Sequence, residues 1–142
     1  MNELIDKAFY FAANAHKGEV DDCGKPYFLH PLQVAQIISD VTDDEDLICA
    51  AYLHDVIENT EIIYEDLVKE FNKEIADLVM EVTKEGKADN YGYYFPRLKT
   101  QDGMILKFAD RLSNISRMES WDTKRQEAYL KKSKFWKDGS DR

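Results

Sequence analysis

Apolar residues recur at helical spacing along nearly the whole chain. Leu4, Ile5, Ala8, Phe9, Ala12 and Ala15 fall on one face and predict a helix over residues 3–16. "KGEVDDCGKPYFL" breaks the pattern with Gly18, Gly24 and Pro26 and reads as a loop. Pro31 suits the first position of a second helix, which Leu32, Val34, Ala35, Ile37 and Ile38 carry to about Ser39. "TDDEDL" opens a third, with Thr42 or Asp43 as its cap and acidic residues at its positive end. The pattern then runs through "LICAAYLHDVIEN" without a break. Shorter helices are expected over residues 64–71 and 73–83. "KEGKADNYGYY" reads as a mobile polar loop, Pro96 to about Met118 as a long helix, and residues 122–137 as a last helix before a frayed "DGSDR". No alternating apolar run, internal repeat or domain-sized linker interrupts this series. The expectation is an all-α, single-domain bundle spanning residues 1–142.

Composition narrows the function. At 142 residues with 44% hydrophobic and 12% aromatic content, the chain can bury a real core. Its net charge of −9 argues against nonspecific nucleic-acid or anionic-membrane binding. An anionic substrate would therefore need local help from a metal ion or placed cations. Cys23 and Cys49 lack zinc-site spacing and read as reduced thiols of a cytoplasmic protein. No signal peptide and no membrane-length apolar run is read; self-association into a homo-oligomer is left open.

The candidate chemistry begins in "AAYLHDVIENT". Adjacent positions on a helix are about 100° apart, so His54 and Asp55 should flank one edge. They would not easily bond each other there, but both could face one ion. Glu58 lies one turn on, on the same face, where a carboxylate can orient or deprotonate water. Imidazole with carboxylate suits zinc, manganese or iron. The competing interpretation is a structural histidine. His30, just before a predicted helix start, is open to the same two interpretations. In "LKFADRLSN", Asp110 lies among Leu106, Phe108, Ala109 and Leu112 and needs a partner, which Arg111, Arg117 or a metal could supply.

Taken together, "AHKGEVDDCGKPYFLHPLQVA", "AAYLHDVIENT" and "LKFADRLSN" resemble the HD superfamily of metal-dependent phosphohydrolases. Within it the chain is most similar to the hydrolase domain of RelA/SpoT-type proteins and small alarmone hydrolases, over roughly residues 5–135. The resemblance implies an all-α HD fold, a divalent ion, typically Mn2+, and removal of the 3′-pyrophosphate of (p)ppGpp. His30, His54, Asp55 and Asp110 match the metal ligands. Glu58 and Asn59 match the pair that handles the attacking water. Asn114 matches a residue at the substrate's ribose and phosphate. Lys107 and Arg111, beside the last ligand, would neutralise phosphate or buttress Asp110. Nothing resembling a synthetase follows, so the expectation is a stand-alone hydrolase or a piece of a longer protein.

The chain also departs from that pattern. The family usually reads Glu-Asp where Glu58-Asn59 stands, and an amide cannot act as a base. Basic residues of the recognition loop are replaced by Asp21 and Asp22, the following serine by Cys23, and a histidine of the last motif by Ser113. Two aspartates cannot stack on a base as arginine does, and they repel polyphosphate. Lys25, Lys84, Lys87 and Arg97 are the candidates to restore that charge. The alternatives are a hydrolase for another nucleotide, such as NADPH, or a domain that binds nucleotide or a partner without turnover. His16 reads as a structural neighbour of the site. The aromatic "YGYYF" reads as packing, and "KKSKFWK" as a solvated helix face.

Overall fold

The computed structural model describes residues 2–21, 23–83, 98–116 and 122–132. Eight helices form there: α1 (Glu3–Ala15), α2 (Leu29–Ser39), α3 (Glu45–Leu53), α4 (Val56–Asn59), α5 (Tyr64–Glu70), α6 (Lys73–Glu81), α7 (Gln101–Ser116) and α8 (Thr123–Lys132). Among the described residues the extended structure is a single bridge, Val20 to Pro26. The all-α expectation holds.

Helix α3 is the centre. Leu47, Ile48, Cys49, Ala50, Ala51 and Leu53 are all buried, so it is apolar on every side, as a helix enclosed by others must be. It packs against α1, α2, α6 and α7. Ala8 and Ala12 of α1, Val34, Ala35 and Ile38 of α2, Ile75, Ala76 and Val79 of α6, and Leu106 of α7 complete the core. The small alanines of α1 and α3 let those two helices approach closely.

Three helix limits differ from the sequence expectation. The cap of α3 is Asp44, whose Oδ1 accepts from Leu47 N at 3.2 Å. Thr42 supports it by accepting from Asp44 N at 3.1 Å. Helix α2 starts at Leu29, which puts Pro31 third rather than first. The missing N–H still falls among the unpaired donors of the first turn. The predicted third helix is also broken after Leu53. There the His54 Nδ1–H donates to Ala51 O at 2.7 Å, and α4 restarts at Val56. That break forms part of the site below.

A buried carboxylate fixes the start of α7. Glu81, 5% exposed at the end of α6, accepts from Lys99 N at 2.9 Å and Thr100 N at 2.8 Å through Oε1. The Thr100 hydroxyl lies 2.8 Å from Glu81 Oε2 and accepts from Gly103 N at 3.0 Å, so it caps α7. The described helix therefore begins at Gln101; Pro96, its predicted start, lies outside the described residues. Gly103 lies against the Glu81 side chain, and a Cβ there would run into Glu81 Oε1.

Replacing glycine by alanine inside a helix ordinarily stabilises by about 0.5–1 kcal/mol. Gly103→Ala should reverse that sign and cost about 1–3 kcal/mol through overpacking. Urea denaturation reads the difference; a stabilised variant would remove the Glu81 clamp from this account.

Candidate metal centre

Three separate parts of the fold meet at one point. His30 comes from the first turn of α2, His54 and Asp55 from the break between α3 and α4, and Asp110 from the middle of α7. His30, His54 and Asp110 are 2%, 1% and 4% exposed. The two Nε2 atoms are 3.2 Å apart. Asp110 Oδ1 lies 2.9 Å from His30 Nε2 and 3.2 Å from His54 Nε2. Asp55 Oδ2 lies 3.1 Å from His54 Nε2 and 3.6 Å from His30 Nε2. One ligand atom from each of the four residues falls within 4.8 Å of the others.

The close pair His54–Asp55 corrects the sequence expectation that these neighbours would not reach each other. That expectation assumed an unbroken helix. Because the backbone leaves α3 at His54, with Asp55 at φ −106 and ψ 0, the carboxylate swings round to the imidazole.

Each ligand is backed by another group. His54 Nδ1–H donates to the Ala51 carbonyl, which can only accept, so the Nε2 side faces the cluster. His30 Nδ1 lies 2.9 Å from Ser113 Oγ. Asp55 Oδ2 accepts from the Tyr27 hydroxyl at 2.6 Å. Asp110 divides its oxygens: Oδ1 faces the histidines, while Oδ2 takes Lys107 Nζ at 3.0 Å and Arg111 Nη1 at 3.2 Å. This answers the question of Asp110's partner with Lys107 and Arg111 together; Arg117 lies outside the described residues.

The electrostatics follow from this crowding. Burial pulls the His54 imidazole down, but the Asp55 charge and the hydrogen bonds His54 donates to Asp110 and Asp55 outweigh it and push it up to about 10. Burial raises both carboxyls, yet His54 and His30 at Asp55, and Lys107 with both histidines at Asp110, hold them well below the usual carboxylate range. Burial and the Asp55 charge raise the Tyr27 phenol, so it remains a hydrogen-bond donor. Burial likewise pulls Lys107 below its ordinary value, against the Asp110 charge.

With both imidazoles neutral, two ring nitrogens and two carboxylate oxygens pack this tightly only around positive charge, which a proton on His54 supplies in the metal-free protein. A divalent cation supplies that charge instead when bound, and the mixed N/O donor set suits a first-row transition ion. The residues fit such a metal.

The other sequence candidates fall around this centre. Glu58 and Asn59 are exposed on α4, one turn past the break. Asn59 lines a depression of about 340 Å³ with Ala15, Glu19, Thr60, Glu61 and Ile62. Its side chain pulls the Tyr27 phenol downward, against the larger upward effects of burial and Asp55. Asn114 is half-buried, one turn past Asp110. Lys25 is exposed on the loop before α2, where Gly24 adopts φ +80 to close the turn. Asp21 Oδ1 accepts from Cys23 N at 2.8 Å and Lys25 N at 3.0 Å, so this aspartate shapes its own turn. Lys107 is 5% exposed, and its charge is committed to Asp110 rather than to a phosphate reached from solvent. Asp22, Lys84, Lys87, Arg97, residues 91–95 and residues 133–137 lie outside the described residues. His16 is buried, 3.3 Å from Glu19 Oε2 through Nδ1, with its ring 5.1 Å from that of Tyr27.

Three residues escaped the sequence reading: Tyr27, Gln33 and the partner role of Ser113. Gln33 and His30 are three apart on α2, a spacing that puts side chains on one face. No spacing rule marks Tyr27, which reaches Asp55 from a loop.

The match to known proteins agrees with this geometry. Residues 8–102 match the family model described as HD domain. The chain belongs to the HD-domain family. It is 34% identical to a probable guanosine-3′,5′-bis(diphosphate) 3′-pyrophosphohydrolase of Mycoplasma genitalium, over 92% of this chain and 21% of that one. It is 37% identical to the guanosine-3′,5′-bis(diphosphate) 3′-pyrophosphohydrolase of Aquifex aeolicus, over 80% of this chain and 17% of that one. To the bifunctional (p)ppGpp synthase/hydrolase SpoT of Escherichia coli it is 34% identical, over 82% of this chain and 18% of that one. The chain thus spans about a fifth of the length of these relatives. A solved structure described as a metazoan ortholog of SpoT that hydrolyses ppGpp superposes with TM-score 0.80 at 25% identity, covering 94% of this chain and 83% of that one.

The metal-free HD domain should show a particular pH profile. His54 rises from 6.5 to about 10 on folding, so its contribution is complete below pH 6.5 and lost as pH climbs through about 10. The depressed Asp55 and Asp110 contribute above 3.8 and are lost only in stronger acid. The denaturation midpoint in chelator should therefore decline from pH 6.5 toward 10. A midpoint that stays level across that interval would contradict the assignment. Tyr27→Phe, which removes the donor to Asp55, should weaken divalent-metal affinity roughly 10–100-fold by titration. Unchanged affinity would make Tyr27 a packing residue only.

Proposed function

We propose that this chain is a metal-dependent phosphohydrolase that removes pyrophosphate from the 3′ position of (p)ppGpp, with Mn2+ as its ion. The observation that carries the reading is the convergence of His30, His54, Asp55 and Asp110 in an HD-family chain whose relatives bear that activity in their names. Those four residues would hold the ion. A divalent cation supplies Lewis acidity at a phosphoryl oxygen and makes water more acidic.

The protein's own groups do the rest. Glu58, exposed one turn beyond the ligands, orients the attacking water and accepts its proton. The water oxygen bonds to the phosphorus attached at the ribose 3′ oxygen. That P–O bond breaks, a proton passes to the 3′ oxygen, and GDP or GTP leaves with pyrophosphate. Asn59 stands beside Glu58 and helps place the water. Asn114, one turn past Asp110, would contact the ribose and phosphate, and the exposed Lys25 would offer the substrate positive charge. Lys107 and Arg111 act through Asp110, holding its carboxylate ionised and oriented.

The free thiols fit work in a reducing cytoplasm. Cys49 is buried, with burial and the charges of Asp46 and Glu45 pushing its thiol up to about 12, so it remains protonated and inert. No helix among the described residues is long and apolar enough to cross a membrane.

Purified protein with Mn2+ should release pyrophosphate from ppGpp, and Asp55→Ala should abolish that release together with metal binding. Glu58→Gln should bind Mn2+ normally while turnover falls roughly 10²–10⁴-fold. Release that persists in Asp55→Ala would disprove the ligand assignment. Mn2+ binding without release from ppGpp, with NADPH cleaved in parallel, would move the activity to another nucleotide. No release from either would make this a binding domain.

A further inference from the structure

The histidines of the metal centre are anchored in different ways. His54 leans directly on a backbone carbonyl, whereas His30 reaches one through three side chains. Ser116 Oγ lies 2.8 Å from the carbonyl oxygen of Ser113, so its one hydrogen is donated there. Toward Gln33 Nε2, at 3.3 Å, Ser116 Oγ can then only accept. That sets the Gln33 amide: its nitrogen faces Ser116 and its Oε1 faces Ser113. Oε1 can only accept, so the Ser113 hydroxyl donates to it, at 2.7 Å. With its one hydrogen used, Ser113 Oγ must accept from His30 Nδ1, at 2.9 Å.

We infer that Ser113, Gln33 and Ser116 form a one-way hydrogen-bond chain that fixes the His30 proton on Nδ1 and so presents Nε2 to the metal, making Ser113 and Gln33 positioning residues of the site. Every step follows from the single proton of a hydroxyl or the two ends of an amide, starting from a carbonyl that cannot donate. Ser113 is 0% exposed, so water does not replace it easily. Residues 30 and 33 share a face of α2, and 113 and 116 share a face of α7. The chain of bonds therefore also sets the register between those two helices, which carry His30 and Asp110. The inference rests on the metal site proposed above, and the following experiment separates the two.

Mn2+ affinity is measured on the full chain and on Ser113→Ala, Gln33→Leu and Gln33→Glu, with thermal unfolding of each metal-free protein alongside. Ser113→Ala should bind roughly 10–100-fold more weakly, as loss of a group that orients a metal-ligating histidine typically does. Gln33→Leu should weaken binding in the same direction, because Ser113 is then free to donate to His30. Gln33→Glu keeps an acceptor for Ser113 and should retain affinity. Gln33 is only half-buried, so this pair carries the test should Ser113→Ala fail to fold. In the 15N-histidine-labelled protein loaded with Zn2+, the His30 ring proton should appear on Nδ1 and exchange slowly; Gln33→Leu should speed that exchange. Gln33→Leu binding Mn2+ as tightly as the unsubstituted protein would overturn the inference, as would a His30 proton on Nε2. Failure of the unsubstituted protein to bind Mn2+ or Zn2+ would overturn the metal reading, and this inference with it.

Discussion

Four acceptor atoms crowded into a buried junction are the constraint on which this structure depends. Two carboxylates and two imidazoles have been taken out of water, and each must be met by a proton, a cation or a donor. The surrounding fold meets that demand group by group. Lys107 and Arg111 balance one Asp110 oxygen, the Tyr27 hydroxyl reaches Asp55, and both histidines have a partner on Nδ1. Even the path of the backbone answers to it: α3 stops where the His54 ring takes the Ala51 carbonyl, and the stop is what turns Asp55 inward.

The apolar core holds these parts in place. Helix α3, buried on all sides, is the post against which α2 and α7 pack, so His30 and Asp110 approach His54 from two directions. The Glu81–Thr100 clamp sets where α7 begins, and therefore which of its turns faces α2. Core packing and ligand geometry are in this sense one problem. A shift of α7 along its axis would move Asp110, Ser113 and Asn114 together.

Much of this was legible in the sequence because helical periodicity and buried charge leave plain marks. The apolar spacing of Leu4 to Ala15 gave α1, and a carboxylate among Leu106, Ala109 and Leu112 announced Asp110 as a residue with a partner. What stayed hidden depended on local backbone geometry or on contacts between distant segments. Nothing in "AAYLHDVIENT" distinguishes a continuous helix from one interrupted by a histidine that bonds its own backbone. Tyr27 reaches Asp55 across 28 residues, and Ser113 reaches His30 across 83. The acidic loop looked hostile to a phosphate ligand. In the structure, Asp21 is occupied by its own turn.

The central claim is that the His30–His54–Asp55–Asp110 cluster is a divalent-cation site. Anomalous scattering at the manganese edge, from crystals grown with Mn2+, tests it most directly. The account expects one strong peak bonded to Nε2 of both histidines and to oxygens of Asp55 and Asp110. No peak at that junction, or a peak only at an exposed acidic patch such as Glu3 and Glu45, would contradict it.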